Sequence, residues 1–182
     1  KRICWCGVSW GKDSVCVAHL VCLSKFAVPL YWIRTDRENP DCLLVRDEFL
    51  RSHDCDYHEI EQGDKDWPHW GCGIREVGID RAIHGVRAAE SWQRELSAAV
   101  HGEATERMCR PILRWKGCDV FAYLEQRGLP VHPAYAMSGG GRWHRDRIRV
   151  GTIGGERGRG IGRAEWETEF YGDVLARLRH RR

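Results

Sequence analysis

The chain has 182 residues, of which 42% are apolar, and a formal net charge of +3. This length fits one domain with an appended arm, and no stretch approaches the roughly 18–20 apolar residues that a membrane span needs. No secretory signal is visible, so we expect a cytoplasmic protein without membrane contact.

Nine cysteines are scattered along the chain, and none forms a Cys-x-x-Cys pair. Zinc and iron–sulfur sites usually show such spacing. The sequence therefore predicts reduced thiols that serve mostly as small core residues, with no zinc and no iron–sulfur cluster.

Short apolar segments alternate with segments of helical periodicity along the chain. Five strands are predicted, at 3–8, 28–34, 57–60, 82–86 and 108–113. Helices are predicted from Asp13, from Pro40-Asp41, from about Ala89, over 117–127 and over about 164–179. This alternation predicts an α/β fold, with a parallel five-stranded sheet and helices on both faces. Ligands of such sheets bind beyond the carboxyl ends of the strands, where residues 9–14 and 85–94 are expected.

The carboxyl-terminal part differs in charge from the rest of the chain. Residues 142–182 contain 11 arginines against six acids, a local charge of +5, whereas residues 1–141 carry −2. We therefore divide the chain into a domain at 1–135 and a Gly/Arg-rich arm with a terminal helix at 136–182. Candidate contacts for RNA or DNA, or for a lid over a ligand, are Arg142, Arg145, Arg147, Arg149, Arg157 and Arg159. A solvated, arginine-biased surface explains the same charge equally well.

The first predicted strand runs into a candidate phosphate-binding loop, Ser9-Trp10-Gly11-Lys12-Asp13-Ser14, and then into a helix. Gly11 permits close approach of the backbone to a ligand, and the amino end of the helix favours negative charge. Lys12 adds a mobile positive charge, and Ser9 and Ser14 add hydroxyl donors. Asp13 suggests a bound magnesium ion or a backbone cap. The spacing is not that of a Walker A loop, and we expect Trp10 to need no special backbone freedom.

Three further motifs follow this loop. They are Gly85-Val86-Arg87-Ala88-Ala89-Glu90-Ser91 with Arg94, then Arg110-Pro111-Ile112-Leu113-Arg114-Trp115 with Asp119 and Tyr123, and Leu129-Pro130-Val131-His132-Pro133-Ala134-Tyr135. In this order, the four segments resemble the phosphoadenosine phosphosulfate (PAPS) reductase family of the adenine-nucleotide α-hydrolase group, whose fold is Rossmann-like. The resemblance covers about residues 3–135.

The resemblance implies that the second motif joins the loop in an adenine-nucleotide site. The residues it adds are Gly85, Arg87, Ser91 and Arg94, and Lys12, Asp13 and Arg87 are the implied catalytic residues. Thr35 and Asp36 are similar to the family's turn near the nucleotide, although the glycine of that turn is absent. A guanidinium at Arg87 can pair bidentately with phosphate; the alternative is a salt-bridged surface turn with Glu90.

The chain departs from the family at the reductive cysteine. Reductases carry it in a carboxyl-terminal Glu-Cys-Gly-Ile/Leu-His segment, whereas no cysteine follows Cys118 here, so a thiolate nucleophile is missing from the tail. The resemblance then implies an ATP α-hydrolase (a pyrophosphatase) or an adenylating enzyme linked to sulfur transfer, using ATP and magnesium.

Two other functions stay open. One is the reduction of PAPS or adenylyl sulfate (APS) to sulfite by an external thiol. The other is a non-catalytic role with nucleic acid, since this compact form is similar to reductase-like proteins found beside phage and type IV CRISPR loci. A homodimer is a candidate assembly for each of these functions.

Overall fold

The computed structural model describes residues 3–62, 79–154 and 162–180. Its strands are β1 (Ile3–Gly7), β2 (Leu30–Thr35), β3 (Tyr57–Gln62), β4 (Ile79–Ile83) and β5 (Met108–Cys109). They form one sheet in the order β3-β2-β1-β4-β5, and every neighbouring pair is parallel. The predicted α/β fold with a parallel five-stranded sheet is confirmed.

The described helices alternate with these strands. They are α1 (Lys12–Leu23), α2 (Asp41–Ser52), α3 (Trp92–His101), α4 (Gly117–Gln126) and α5 (Arg163–His180). Helix α1 packs on α4, where the Nδ1 atom of His19 lies 2.7 Å from the hydroxyl of Tyr123. Within the described ranges, no helix combines the length and the apolar character that crossing a bilayer requires.

The strand order places a reversal of direction beside the central strand. From the central strand β1, the chain builds outward through β2 and β3 on one side and later through β4 and β5 on the other. The register sets Cys6 beside Leu30 on one flank and beside Ile83 on the other. The order therefore reverses between β1 and β4, and in open α/β sheets ligands bind at such a reversal.

Three predicted elements have other bounds in the structure: β4 spans Ile79–Ile83 and is shifted toward the amino end, α3 begins later, and β5 is shorter. Strand β4 ends at Ile83 rather than at residue 86, and a 3-10 turn at Ala88–Glu90 precedes α3, which begins at Trp92 rather than near Ala89. Strand β5 stops at Cys109 rather than at residue 113, and a turn follows in which the N–H of Leu113 donates to the carbonyl of Arg110. Pro111 explains this early end, because proline cannot donate to a strand ladder.

The buried core continues across the boundary drawn at residue 135. It includes Trp10, Trp32 and Phe49, and it also includes the arm residues Ile148, Val150, Ile153, Trp166 and Tyr171. The hydroxyl of Tyr171 donates to the Oδ2 atom of Asp41 at 2.8 Å, at the start of α2. The charge balance changes at residue 142, but residues of the arm pack on the sheet as part of the same core.

The eight cysteines among the described residues are free thiols, and Cys6, Cys16 and Cys42 are buried. Cys22 and Cys55 are partly buried against the core, Cys4 and Cys109 are half-buried, and Cys118 is exposed. The prediction of small core residues thus fits Cys6, Cys16 and Cys42 best. Cys72 lies outside the described residues.

His132 lies inside this core with 1% of its surface exposed. Its Nδ1 atom accepts a hydrogen bond of 3.2 Å from the N–H of Ala134 and so caps the 3-10 turn Pro133–Ala136. Burial lowers the pKa of the imidazole to about 4, because the charged form loses its hydration. The folded protein therefore holds His132 in the neutral state.

Acidification is expected to destabilise the fold through this residue. The folded pKa lies below the ordinary value, so the unfolded chain binds the extra proton between about pH 6.5 and pH 4, and stability falls as pH falls through this window. The loss attributable to His132 is on the order of 2–3 kcal/mol. Urea unfolding of the wild type and of His132→Asn at pH 7 and pH 4.5 measures it, and an unchanged pH dependence in the variant would contradict the assignment.

Candidate functional site

The loop between β1 and α1 is tied to the first turn of the helix. Gly11 precedes α1 with extended backbone angles, and its carbonyl accepts from the N–H of Val15 and from the hydroxyl of Ser14, both at 3.0 Å. The N–H of Ser9 donates to the Ser14 hydroxyl at 3.2 Å. Ser9 is exposed at the outer edge of this loop, while Ser14 is buried beneath it.

Trp10 corrects one sequence expectation. Its φ angle is +56°, and it is the one residue other than glycine with positive φ among the described residues. The position does require unusual backbone freedom, and L-residues occupy this region at a cost of about 1–2 kcal/mol. The indole is fully buried against Trp32, Phe49 and Tyr57. The packing of the ring offsets the backbone cost, and Trp10 offers a ligand its backbone rather than its side chain.

Lys12 opens α1 and has 3% of its side chain exposed. Its Nζ atom lies 2.7 Å from Oδ2 of Asp13 and 3.4 Å from Oδ1 of Asp146. Its backbone N–H donates to the hydroxyl of Tyr135 at 3.0 Å, which ties the fourth sequence motif to the loop. The predicted loop cation is therefore held against the protein's own oxygens at the amino end of the helix.

Arg87 reaches the same place from the segment after β4. Its guanidinium, 1% exposed, donates from Nε to Oδ1 of Asp13 at 2.6 Å and from Nη2 to Oδ1 of Asp146 at 2.8 Å. A Cβ on Gly85 would lie 2.9 Å from the backbone carbonyl of Asp13, so the two segments approach as closely as they do because residue 85 is glycine. The sequence motifs at 9–14 and 85–94 thus meet at the strand-order reversal.

These contacts form a charge cluster, by which we mean Lys12, Asp13, Arg87 and Asp146. The charges of two cations and two carboxylates cancel within this largely buried cluster. An unpaired charge at such a buried position would be strongly destabilising. Asp146 is not among the site residues predicted from the sequence. The feature that could have pointed to it is its position as a lone acid between Arg145 and Arg147 in the arginine-rich arm.

The rest of the second motif serves the local backbone. The hydroxyl of Ser91 caps α3 by accepting from the N–H of Arg94 at 3.3 Å, and the Arg94 side chain pairs with Glu90. Glu90 also accepts from the backbone N–H of Arg87 at 3.1 Å. The salt-bridged turn considered as an alternative is present for Arg94, while the side chain of Arg87 points to the charge cluster.

The turn after β2 is covered by the arm. Thr35 is the last residue of β2. Its hydroxyl accepts a hydrogen bond of 3.3 Å from the N–H of Arg37, and Asp36 is exposed. The carbonyl of Arg37 accepts from the N–H of Ile153 at 2.7 Å. In the same turn, burial raises the pKa of the Glu38 carboxyl to about 7. Thr35 and Asp36 therefore lie at the carboxyl edge of the sheet, beside Glu38, whose carboxyl no sequence motif marks.

The arm arginines differ in their contacts. Arg142 pairs with Glu169 and lies 4.4 Å from the ring of Trp143, and Arg145 lies 4.0 Å from the ring of Phe121. Arg147 and Arg149 are exposed, whereas Arg157 and Arg159 lie outside the described residues. Binding of RNA or DNA by these residues stays a prediction.

Comparison of the sequence with known families and proteins confirms the predicted resemblance. Residues 72–156 match the family model described as the phosphoadenosine phosphosulfate reductase domain. The chain is 32% identical over 76 residues to a phosphoadenosine 5'-phosphosulfate reductase of Synechococcus, which covers 41% of this chain and 33% of that protein. It is 30% identical over 101 residues to the enzyme of that name from Shewanella oneidensis, and this match covers 54% of this chain and 37% of that protein. The matches thus span about a third of the length of these relatives.

Solved structures share the fold at 14% sequence identity. The PAPS reductase of Candida auris, crystallised with phosphate, aligns with a TM-score of 0.58 over 76% of this chain and 79% of that one. The FMN adenylyltransferase of Candida glabrata with FMN and an ATP analogue aligns with a TM-score of 0.51 over 72% of this chain and 51% of that one. The NMN synthetase of Francisella tularensis aligns with a TM-score of 0.51 over 71% of this chain and 63% of that one. The matched family range contains the last three motifs, and the loop at 9–14 lies before it.

The positive φ of Trp10 predicts an inverted order of stability between two small replacements. Trp10→Gly and Trp10→Ala both empty the ring's pocket, at a cost of about 3–5 kcal/mol each. Alanine still pays the conformational free energy of a left-handed backbone, whereas glycine does not. The free energy of unfolding of Trp10→Gly should therefore exceed that of Trp10→Ala by about 1 kcal/mol. Urea unfolding of both variants measures the difference, and an alanine variant as stable as the glycine variant would refute the strained geometry.

Proposed function

We propose that this chain, a relative of the PAPS reductases over residues 72–156, binds an adenine nucleotide with its phosphates at the junction of β1 and β4. The observation that carries the proposal is the convergence of Lys12 and Arg87. They arrive from different strand ends and bond to the same two carboxylates. Two cations at a strand-order reversal, beside the amino end of a helix, favour a phosphate chain.

The reaction we propose is cleavage of ATP at its α-phosphorus, which releases pyrophosphate. The β- and γ-phosphates would bind the loop at Ser9, Gly11 and Lys12, and the α-phosphate would lie near Arg87. Buried cations are suited to this task, because they stabilise the charge that develops on the leaving pyrophosphate without reorganisation by solvent. Water or an acceptor oxygen would then attack the phosphorus, which yields AMP or an adenylated product.

Magnesium is compatible with the residues present. Mg²⁺ is usually held by one or two carboxylates together with phosphate oxygens and water. Asp13 offers such a carboxylate: its two oxygens accept from Arg87 and Lys12, and each keeps a lone pair for a further partner. Bound there with a triphosphate, the ion would neutralise negative charge on the leaving group.

Removal of the loop cation is expected to abolish the activity. Lys12→Ala should lower pyrophosphate release from ATP by at least about 100-fold, because charge stabilisation in the transition state is lost. A coupled pyrophosphate assay with magnesium measures the rate, and the exposed Lys25 provides a matched control, Lys25→Ala. Full activity in Lys12→Ala, or the same loss in Lys25→Ala, would refute the assignment.

A second candidate function, reduction of PAPS or APS to sulfite, is favoured by the names of the two curated relatives. It requires a thiolate. Cys16 and Cys42 lie near the loop but are buried, and burial raises the pKa of both thiols, that of Cys16 to about 12. Cys118 is exposed at the start of α4. A panel of ATP, APS and PAPS, assayed for pyrophosphate and, with thioredoxin present, for sulfite, separates the two functions.

A further inference from the structure

Asp146 is the member of the charge cluster that comes from neither strand end. It lies on the arm, in the 3-10 turn Arg145–Arg147. Its Oδ1 atom accepts from Nη2 of Arg87 at 2.8 Å and lies 3.4 Å from Nζ of Lys12. A carboxylate of the arm is therefore seated on the two cations to which the proposed function assigns phosphates.

The place where this carboxylate lies has the character of an anion subsite. Lys12 and Arg87 are 3% and 1% exposed, so both cations are directed into it rather than into solvent. The carboxylate also rests on Gly117, the first residue of α4, where an added Cβ would fall 2.2 Å from it. The subsite thus combines two buried cations with the amino end of a ten-residue helix, and both favour negative charge.

The two carboxylates of the cluster are held differently. Asp13 belongs to the first turn of α1, and both of its oxygens are bonded to cations. Asp146 has 26% of its side chain exposed and lies in a turn of three residues. That turn is anchored through its neighbours, by the Arg145 guanidinium on Phe121 and by the burial of Ile148. The Asp146 side chain can therefore leave its seat while the turn stays in place.

Charge balance requires such a departure when a bare anion enters. With both carboxylates in place, the cluster is neutral, and an added phosphate would bring excess negative charge into a nearly closed space at high cost. Replacement of the Asp146 carboxylate by a phosphate group keeps the cations paired. We propose that Asp146 marks an oxyanion subsite between Lys12, Arg87 and Gly117, and that a phosphate group of the ligand displaces it. This proposal rests on the proposed function and adds the position of one phosphate and its internal competitor.

The test uses inorganic pyrophosphate in metal-free buffer at fixed ionic strength, with calorimetry on the full chain. Asp146→Asn preserves the shape of the side chain and removes its charge, so it should bind pyrophosphate at least about ten-fold more tightly than the wild type. Adding Lys12→Ala to this variant should abolish the gain. The matched control is Glu169→Gln, which removes an arm carboxylate that pairs with Arg142 away from the cluster and should leave affinity unchanged.

Each outcome separates the two proposals. If the wild type binds and Asp146→Asn binds equally or less tightly, Asp146 supports the site rather than competes for it, and the inference is wrong while the proposed function stands. If neither protein binds pyrophosphate, the inference fails, and the assay of pyrophosphate release from ATP with magnesium decides the proposed function separately. A crystal structure of the wild type with pyrophosphate covers the case of an unfolded variant: a phosphate group should take the place of the Asp146 carboxylate beside Lys12 and Arg87, and a carboxylate still bonded to Arg87 would overturn the inference.

Discussion

The ion pairs between the segment after β4 and the start of α1 hold the candidate site together. Arg87 bonds to Asp13 across the strand-order reversal, and Gly85 lets the two backbones approach. Because Arg87 is almost fully buried, its charge depends on these carboxylates for solvation, and removing one partner from such a pair is far more costly than the pair is stabilising. The same contacts thus order this part of the chain and hold its two cations in fixed positions.

Aromatic packing supports the other wall of the site. The loop turns through Trp10, whose left-handed backbone is maintained by burial of its ring against Trp32 and Phe49. On its other side, Gly11 faces Val150 and the hydroxyl of Tyr135. The core therefore packs against one side of the loop, and later parts of the chain pack against the other side. Because both sides are packed, the N–H groups of the loop keep one orientation.

Local signatures explain what the sequence could predict. A strand that ends in serine, glycine and lysine before a helix identifies the loop, and alternating periodicity identifies the sheet. The lone acid between two arginines marks Asp146 in the sequence, but its partner Arg87 lies 59 positions away and meets it only through tertiary packing. The φ angle of Trp10 also depends on distant partners, since nothing in the local sequence favours a tryptophan in a glycine conformation. Pro111 indicates where β5 ends, but the apolar residues on both sides of it favour a longer strand.

The arm's share of the core has a consequence for biosynthesis. A ribosome releases the loop at 9–14 first, whereas Ile153 and Tyr171, which belong to the same buried core, emerge much later. Long-range contacts of this kind slow folding and leave apolar surface uncovered in the meantime. A nascent chain that ends before residue 171 would therefore expose the apolar faces that the arm covers, and would be a natural client for chaperones until translation passes that point.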